Sequence, residues 1–71
     1  MQPKFTDAAG HEFTPHELIG ATAAHGKGLG TVRQISETPG YPTMVICHTY
    51  NGVRDWRLDE CTICLGMTTN N

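Results

Sequence analysis

Three cysteines, four histidines and a scatter of carboxylates are the residues of this chain that could do chemistry. Cys61-Thr62-Ile63-Cys64 has the C-x-x-C spacing of a zinc knuckle, and Cys47 or a histidine would complete a tetrahedral set. A second C-x-x-C is missing, and the β-branched centre Thr62-Ile63 favours extended backbone over a tight turn. In a strand, positions 61 and 64 point to opposite faces. Cys47, Cys61 and Cys64 are therefore read as core or strand thiols, with no metal and no other cofactor. A small zinc-binding domain through these cysteines and a histidine is the third-ranked alternative. The odd cysteine count also disfavours a disulfide-stapled secreted scaffold.

His11, His16, His25 and His48 match no H-E-x-x-H spacing. Gly26-Lys27-Gly28-Leu29-Gly30-Thr31 has the glycines of a phosphate loop but not its order, because the lysine precedes the last glycine. It reads as a flexible loop. No nucleophile, base and oxyanion donors converge, so the chain is expected to be no enzyme.

The elements that must position these residues follow from turn chemistry and alternation. Seventy-one residues make one small domain, spanning 1–71, and a light core. Phe5 and Phe13 flank Asp7–Gly10, which suits a hairpin or extended arm over 1–13. Thr14-Pro15-His16-Glu17 is a capping box with proline at the first helical position. One helical turn and then a strand of small residues is favoured over a helix running to Gly26. Strands are expected over 31–36, 43–50, 53–58 and 61–65, and residues 67–71 form a frayed polar tail.

Asn51-Gly52 is the preferred filling of a two-residue type I′ turn. That turn places His48 opposite Asp55, Cys47 opposite Trp56, Ile46 opposite Arg57 and Val45 opposite Leu58. Val45, Cys47, Trp56 and Leu58 then share the core face. Ile46, His48, Tyr50, Val53, Asp55 and Arg57 share the outer one, a strip of aliphatic, aromatic and charged groups. Mixed strips of that kind serve as protein interfaces. Lys27, Tyr41 and Arg54 are secondary candidates.

Ala23-Ala24-His25, the glycine loop, Gly30-Thr31-Val32-x-x-Ile35, a long strand, a tight turn and Trp56-Arg57-Leu58-Asp59-Glu60-Cys61 together resemble the small SH3-like barrels. The likeness is closest to the KOW and Tudor-type members and covers roughly residues 18 to 65. It implies a mainly β fold, a small five-stranded SH3-like barrel with a capped helical turn near its N-terminus. Such barrels bind proteins, RNA, DNA or methylated tails, so the resemblance does not choose a function.

Charge narrows the choice. Five Lys and Arg against seven Asp and Glu give a net charge of −2, and the cations are spread along the chain. A strongly basic nucleic-acid surface is excluded, and a nucleic-acid-binding barrel ranks second. No apolar run reaches the roughly 18 to 20 residues of a membrane span, and Met1-Gln2-Pro3-Lys4 begins no secretory signal. The expected setting is cytoplasmic, without membrane contact. The leading expectation is a non-catalytic protein–protein interaction module acting on a protein partner or by self-association as a homodimer. Its size is that of accessory inhibitors or adaptors encoded by phages and other mobile elements.

Overall fold

Glu17 and Thr14 satisfy each other in the way the sequence predicts. The Glu17 N–H donates to Thr14 Oγ1 at 3.3 Å, and the Thr14 N–H donates to Glu17 Oε1 at 2.8 Å. The helix they start, α1 (Pro15–Leu18), is a single turn that drives Leu18 into complete burial. That burial contributes on the order of 2 kcal/mol. Ile19 is already extended, and the chain turns into a strand.

The computed structural model describes residues 4–65; the expected tail at 67–71 lies outside the described residues. The chain is mainly β, with two antiparallel sheets. The small one is the expected N-terminal hairpin, β1 (Phe5–Thr6) with β2 (Glu12–Phe13), in which Phe5 faces Phe13. The large one contains β3 (Thr22–His25), β4 (Gly28–Ser36), β5 (Met44–Thr49), β6 (Gly52–Arg57) and β7 (Thr62–Cys64). Its order is β6-β5-β4-β3-β7, a four-strand meander whose first strand is rejoined by the last. A 3-10 turn at Leu58–Glu60 makes that return. Five strands form, but β6 and β7 do not pair, so the sheet is not a closed barrel.

Three expectations are corrected. The glycine loop is only Gly26-Lys27, because Gly28 and Gly30 already lie in β4. Gly30 is required there: a Cβ on it would sit 2.9 Å from Cys47 Cβ and Thr49 Cγ2. The last two strands are shorter than expected, since Leu58 belongs to the 3-10 turn and β7 spans Thr62–Cys64 alone.

The third correction is the hairpin register. Thr49 pairs with Gly52, His48 with Val53, Ile46 with Asp55 and Val45 with Trp56. The loop is Tyr50-Asn51, both with negative φ, and only Gly52 is left-handed at φ +105°. A type I′ turn would need two positive φ values, one of them on Asn51. Here the Thr49 hydroxyl holds the alternative turn by donating to the Gly52 carbonyl at 2.7 Å and accepting from the Asn51 N–H at 3.0 Å. The pairing slips by two residues, so every side chain keeps its face.

The inner face is therefore as expected. Val45 and Cys47 are fully buried, with Trp56 and Leu58 nearly so. Phe5, Phe13 and Leu18 join the same core. A bulge between Val32 and Gln34 displaces Arg33 in β4 and adds to the bend of the sheet. The bend is strong enough that the His25 ring, on β3, stacks on Trp56, on β6, at 4.7 Å with an 11° interplanar angle. Side chains bridge the seam that backbone leaves open.

Candidate functional site

Register assigns the outer face strand by strand. One row crosses all five strands: Val53, His48, Thr31, Thr22 and Cys64. Beside it lie Leu29, Ala24 and Thr62, with Tyr50 at the hairpin tip next to the end of that row. No Lys, Arg, Asp or Glu stands in either row. Charge enters toward the other end, where Arg33 stands at the β4 bulge, Asp55 faces Ile46 and Arg57 faces Met44. Leu29 is 65% exposed, Val53 53% and Tyr50 100%. This is a broad, neutral, partly apolar sheet face.

Of the predicted strip, Ile46, His48, Val53, Asp55 and Arg57 share one face of the β5–β6 pair, with partners that differ from those expected, while Tyr50 falls in the turn beyond the ladder. His48 meets Val53 rather than Asp55, so no imidazole–carboxylate pair forms there. Ile46 is half-buried, while His48 and Asp55 are exposed. Arg57 is engaged: its Nε and Nη2 donate to the two Asp59 carboxylate oxygens at 2.9 and 2.8 Å, and Glu60 lies 4.0 Å away. That hydrogen-bonded pair raises the Arg57 guanidinium above its ordinary value and holds the Asp59 carboxyl below its own.

Of the secondary candidates, Lys27 sits in the two-residue β3–β4 turn. Arg54 belongs to the inner-face alternation opposite Cys47, at the sheet edge, and its guanidinium donates to the Val53 carbonyl at 3.1 Å. Tyr41, 74% exposed, lines a shallow groove with Thr38, Pro42, Met44 and Arg57, away from the neutral rows. The three do not converge.

The cysteines do not converge either. Cys47 and Cys61 are buried, whereas Cys64 is exposed in the outer row. Burial pushes the Cys61 thiol up to about 11, with smaller contributions from Cys47, Glu60, Asp59 and Asp7. Burial, then Asp55, raises Cys47 as well. The Cys61 thiol donates to the Arg57 carbonyl at 3.3 Å. Among the described residues no three His, Cys, Asp or Glu side chains gather in a way that could hold a metal ion.

Two arrangements escaped sequence reasoning. His25 accepts the Lys27 N–H on Nδ1 at 3.1 Å and faces Glu60 Oε1 through Nε2 at 3.2 Å. An accepting Nδ1 assigns the neutral Nε2–H tautomer, so both nitrogens are occupied. The ring serves as a clasp between β3, β6 and the 3-10 turn. Asp7, 4% exposed, is the second. Its Oδ1 accepts from Ala9 and His11 N–H, both at 3.0 Å, and its Oδ2 accepts from the Ile63 N–H at 2.9 Å. An aspartate four residues before a turn's end signals the local half of that network; nothing local signals the Ile63 half. No protein-family model, curated protein or solved structure matches the chain.

Proposed function

We propose that this chain is a non-catalytic protein-binding module of SH3-like build that works through the outer face of its large sheet. The SH3-like reading draws on the four-strand meander, the 3-10 turn, the fifth strand returning to β3, and the His25–Trp56 stack across the seam. One observation carries the functional reading: two adjacent rows of the outer face hold no formal charge and expose Leu29 and Val53, with Tyr50 fully exposed in the turn between β5 and β6. Antiparallel sheets do present one face to water, yet such faces are ordinarily polar. A neutral, partly apolar patch with charged groups along one margin, Asp55 and Arg57 among them, is the pattern of a protein interface.

The cations fit a nucleic-acid surface less well. Arg57 is paired with Asp59, Arg54 lies along its own strand, and Lys4, Lys27 and Arg33 stand on separate segments: the N-terminal arm, the β3–β4 turn and the β4 bulge. Affinity capture with the immobilised chain, with and without nuclease, tests the reading. A nuclease-resistant protein partner should be retained by the natural chain. Leu29→Ser and Tyr50→Ala should each weaken that binding by about thirtyfold, the loss of roughly 2 kcal/mol typical of an interface anchor. Their far-UV spectra should not change. Capture that nuclease abolishes, or that neither substitution affects, refutes the assignment.

A further inference from the structure

Asn51-Gly52, at the tip of the β5–β6 hairpin, is the one place in the chain where an asparagine precedes a glycine. Both residues are exposed. The Asn51 carboxamide has no protein partner among the described residues; only the Asn51 main-chain N–H is engaged, donating to Thr49 Oγ1 at 3.0 Å. Space around Gly52 is open as well. A Cβ built on it would come no closer than 3.8 Å to any residue beyond its chain neighbours, and that contact is the mobile end of a side chain, Arg54 Nη1. An electrophilic side-chain carbonyl and a peptide nitrogen therefore stand side by side with nothing packed on either.

We propose that Asn51 is a modification site, converted without an enzyme to aspartate and isoaspartate through a cyclic imide with Gly52, at a pace set by the Thr49 hydroxyl. The Gly52 peptide nitrogen loses its proton through water and bonds to Asn51 Cγ. The Cγ–Nδ2 bond breaks, and the departing nitrogen takes up the proton to leave as ammonia. Tethering the two groups into a five-membered ring is a favourable case of intramolecular reaction. Glycine supplies the least hindered nitrogen, because it has no Cβ. Water then opens the ring. Attack at Cγ gives aspartate; attack at the Asn51 main-chain carbonyl gives isoaspartate, in which the chain runs through Cβ and Cγ. Either product places a new carboxylate beside Tyr50. This chemistry does not rest on the reading of the outer face.

The fold restrains the reaction at the end of the ladder. The Leu58 N–H donates to the Thr43 carbonyl at 2.9 Å, and the β5–β6 pairs run unbroken from there. Counting in twos, Thr49–Gly52 is a hydrogen-bonded pair, so the Gly52 N–H turns toward β5 and must leave it before its nitrogen can attack. That pair is the last one, at an exposed tip, where local opening costs least. Thr49 adds a second restraint. Its hydroxyl donates to the Gly52 carbonyl at 2.7 Å and accepts from the Asn51 N–H at 3.0 Å, bridging both reacting residues. Isoaspartate lengthens the main chain by one atom inside this same turn, so that product no longer fits the Thr49–Gly52 pair.

Incubating the folded chain at mildly alkaline pH and mapping its peptides by mass spectrometry tests the site. Asn51 should convert progressively to both products, distinguished by fragmentation and by methyl transfer from an isoaspartyl methyltransferase. Asn51→Gln should abolish methyl acceptance by that peptide. Urea should speed conversion of the natural chain, since it removes the ladder. Thr49→Val keeps the branched shape and loses the hydroxyl; it should raise the rate in the folded state by roughly fivefold, the factor one hydrogen bond contributes to the open population. Thr49→Ser should stay close to the natural rate. If Thr49→Val fails to fold, amide exchange of the natural chain decides: the Gly52 N–H should exchange faster than amides in the middle of β5. Asn51 that stays intact in the folded chain overturns the proposal. So does a folded Thr49→Val that converts at the natural rate, or a Gly52 amide as protected as those in the middle of β5.

Discussion

Replacing Asp7 by alanine removes three hydrogen-bond acceptor contacts at once, and they are not equivalent. The Ala9 and His11 amides lie in an exposed turn, so water takes over most of what they lose. The Ile63 amide is buried and its bond to Asp7 Oδ2 spans 56 positions of chain. A buried N–H stripped of a charged acceptor costs about 2 kcal/mol, and the two turn amides add about 0.5 kcal/mol each. The expected loss is about 3 kcal/mol. A chain of this size has roughly 4 to 10 kcal/mol in total, so the variant should unfold at a fraction of the natural urea midpoint. Fluorescence of Trp56, the single tryptophan, reports the transition. Asp7→Asn can keep an acceptor oxygen on the Ile63 N–H only by turning its NH2 toward the Ala9 and His11 N–H donors, so it should lose at least about 1 kcal/mol but less than Asp7→Ala. Amide exchange at Ile63 should accelerate in Asp7→Ala more than exchange in β5. A loss below about 0.5 kcal/mol, or unchanged exchange at Ile63, would refute the role of Asp7 in tying the N-terminal turn to β7.

Gly52→Val places a β-branched residue at φ +105° and should destabilise by about 1 to 2 kcal/mol, read as a lowered melting midpoint. No change would mean the turn adopts another geometry. The thiols give a pH signature. Cys61 is raised from 9.0 to about 11 in the folded chain, so above pH 9 the unfolded chain releases its proton first. Stability contributed by the neutral buried thiol is complete below pH 9 and should fall as pH rises toward 11, by about 3 kcal/mol in all. Urea midpoints across that window measure it, and a flat profile contradicts the burial. Alkylation of the native chain should modify Cys64 alone.

Local chemistry was legible and long-range chemistry was not. The Thr14–Glu17 box, the Phe5–Phe13 hairpin and the short helix before β3 each depend on residues a few positions apart, and each forms as read. The faces of β5 and β6 were legible because alternation survives any slip of two residues. The partners were not, since the Thr49 hydroxyl decides which residue takes the positive φ. The bulge at Arg33 and the Arg57–Asp59 pair that shapes the 3-10 turn have no distinctive residue signal. Half of the candidate surface could be read from the hairpin. Leu29, Thr31, Thr22, Thr62 and Cys64 join it only through the strand order, which pattern alone does not supply. His25 meets Trp56 only because the sheet curls.

The Asp7–Ile63 bond also imposes an order in time. Closing a hairpin costs little chain entropy, whereas joining residues 56 apart costs about 2 kcal/mol more by loop-length scaling. The meander from β3 to β6 is assembled from neighbours, so it gathers first, and β7 with its bond to Asp7 arrives last. Until then β3 is itself a bare edge, open to any other strand nearby. The final step of folding is therefore also the step that removes an aggregation hazard. In rate terms, losing a contact made so late leaves the folding rate of Asp7→Ala nearly unchanged and speeds its unfolding instead.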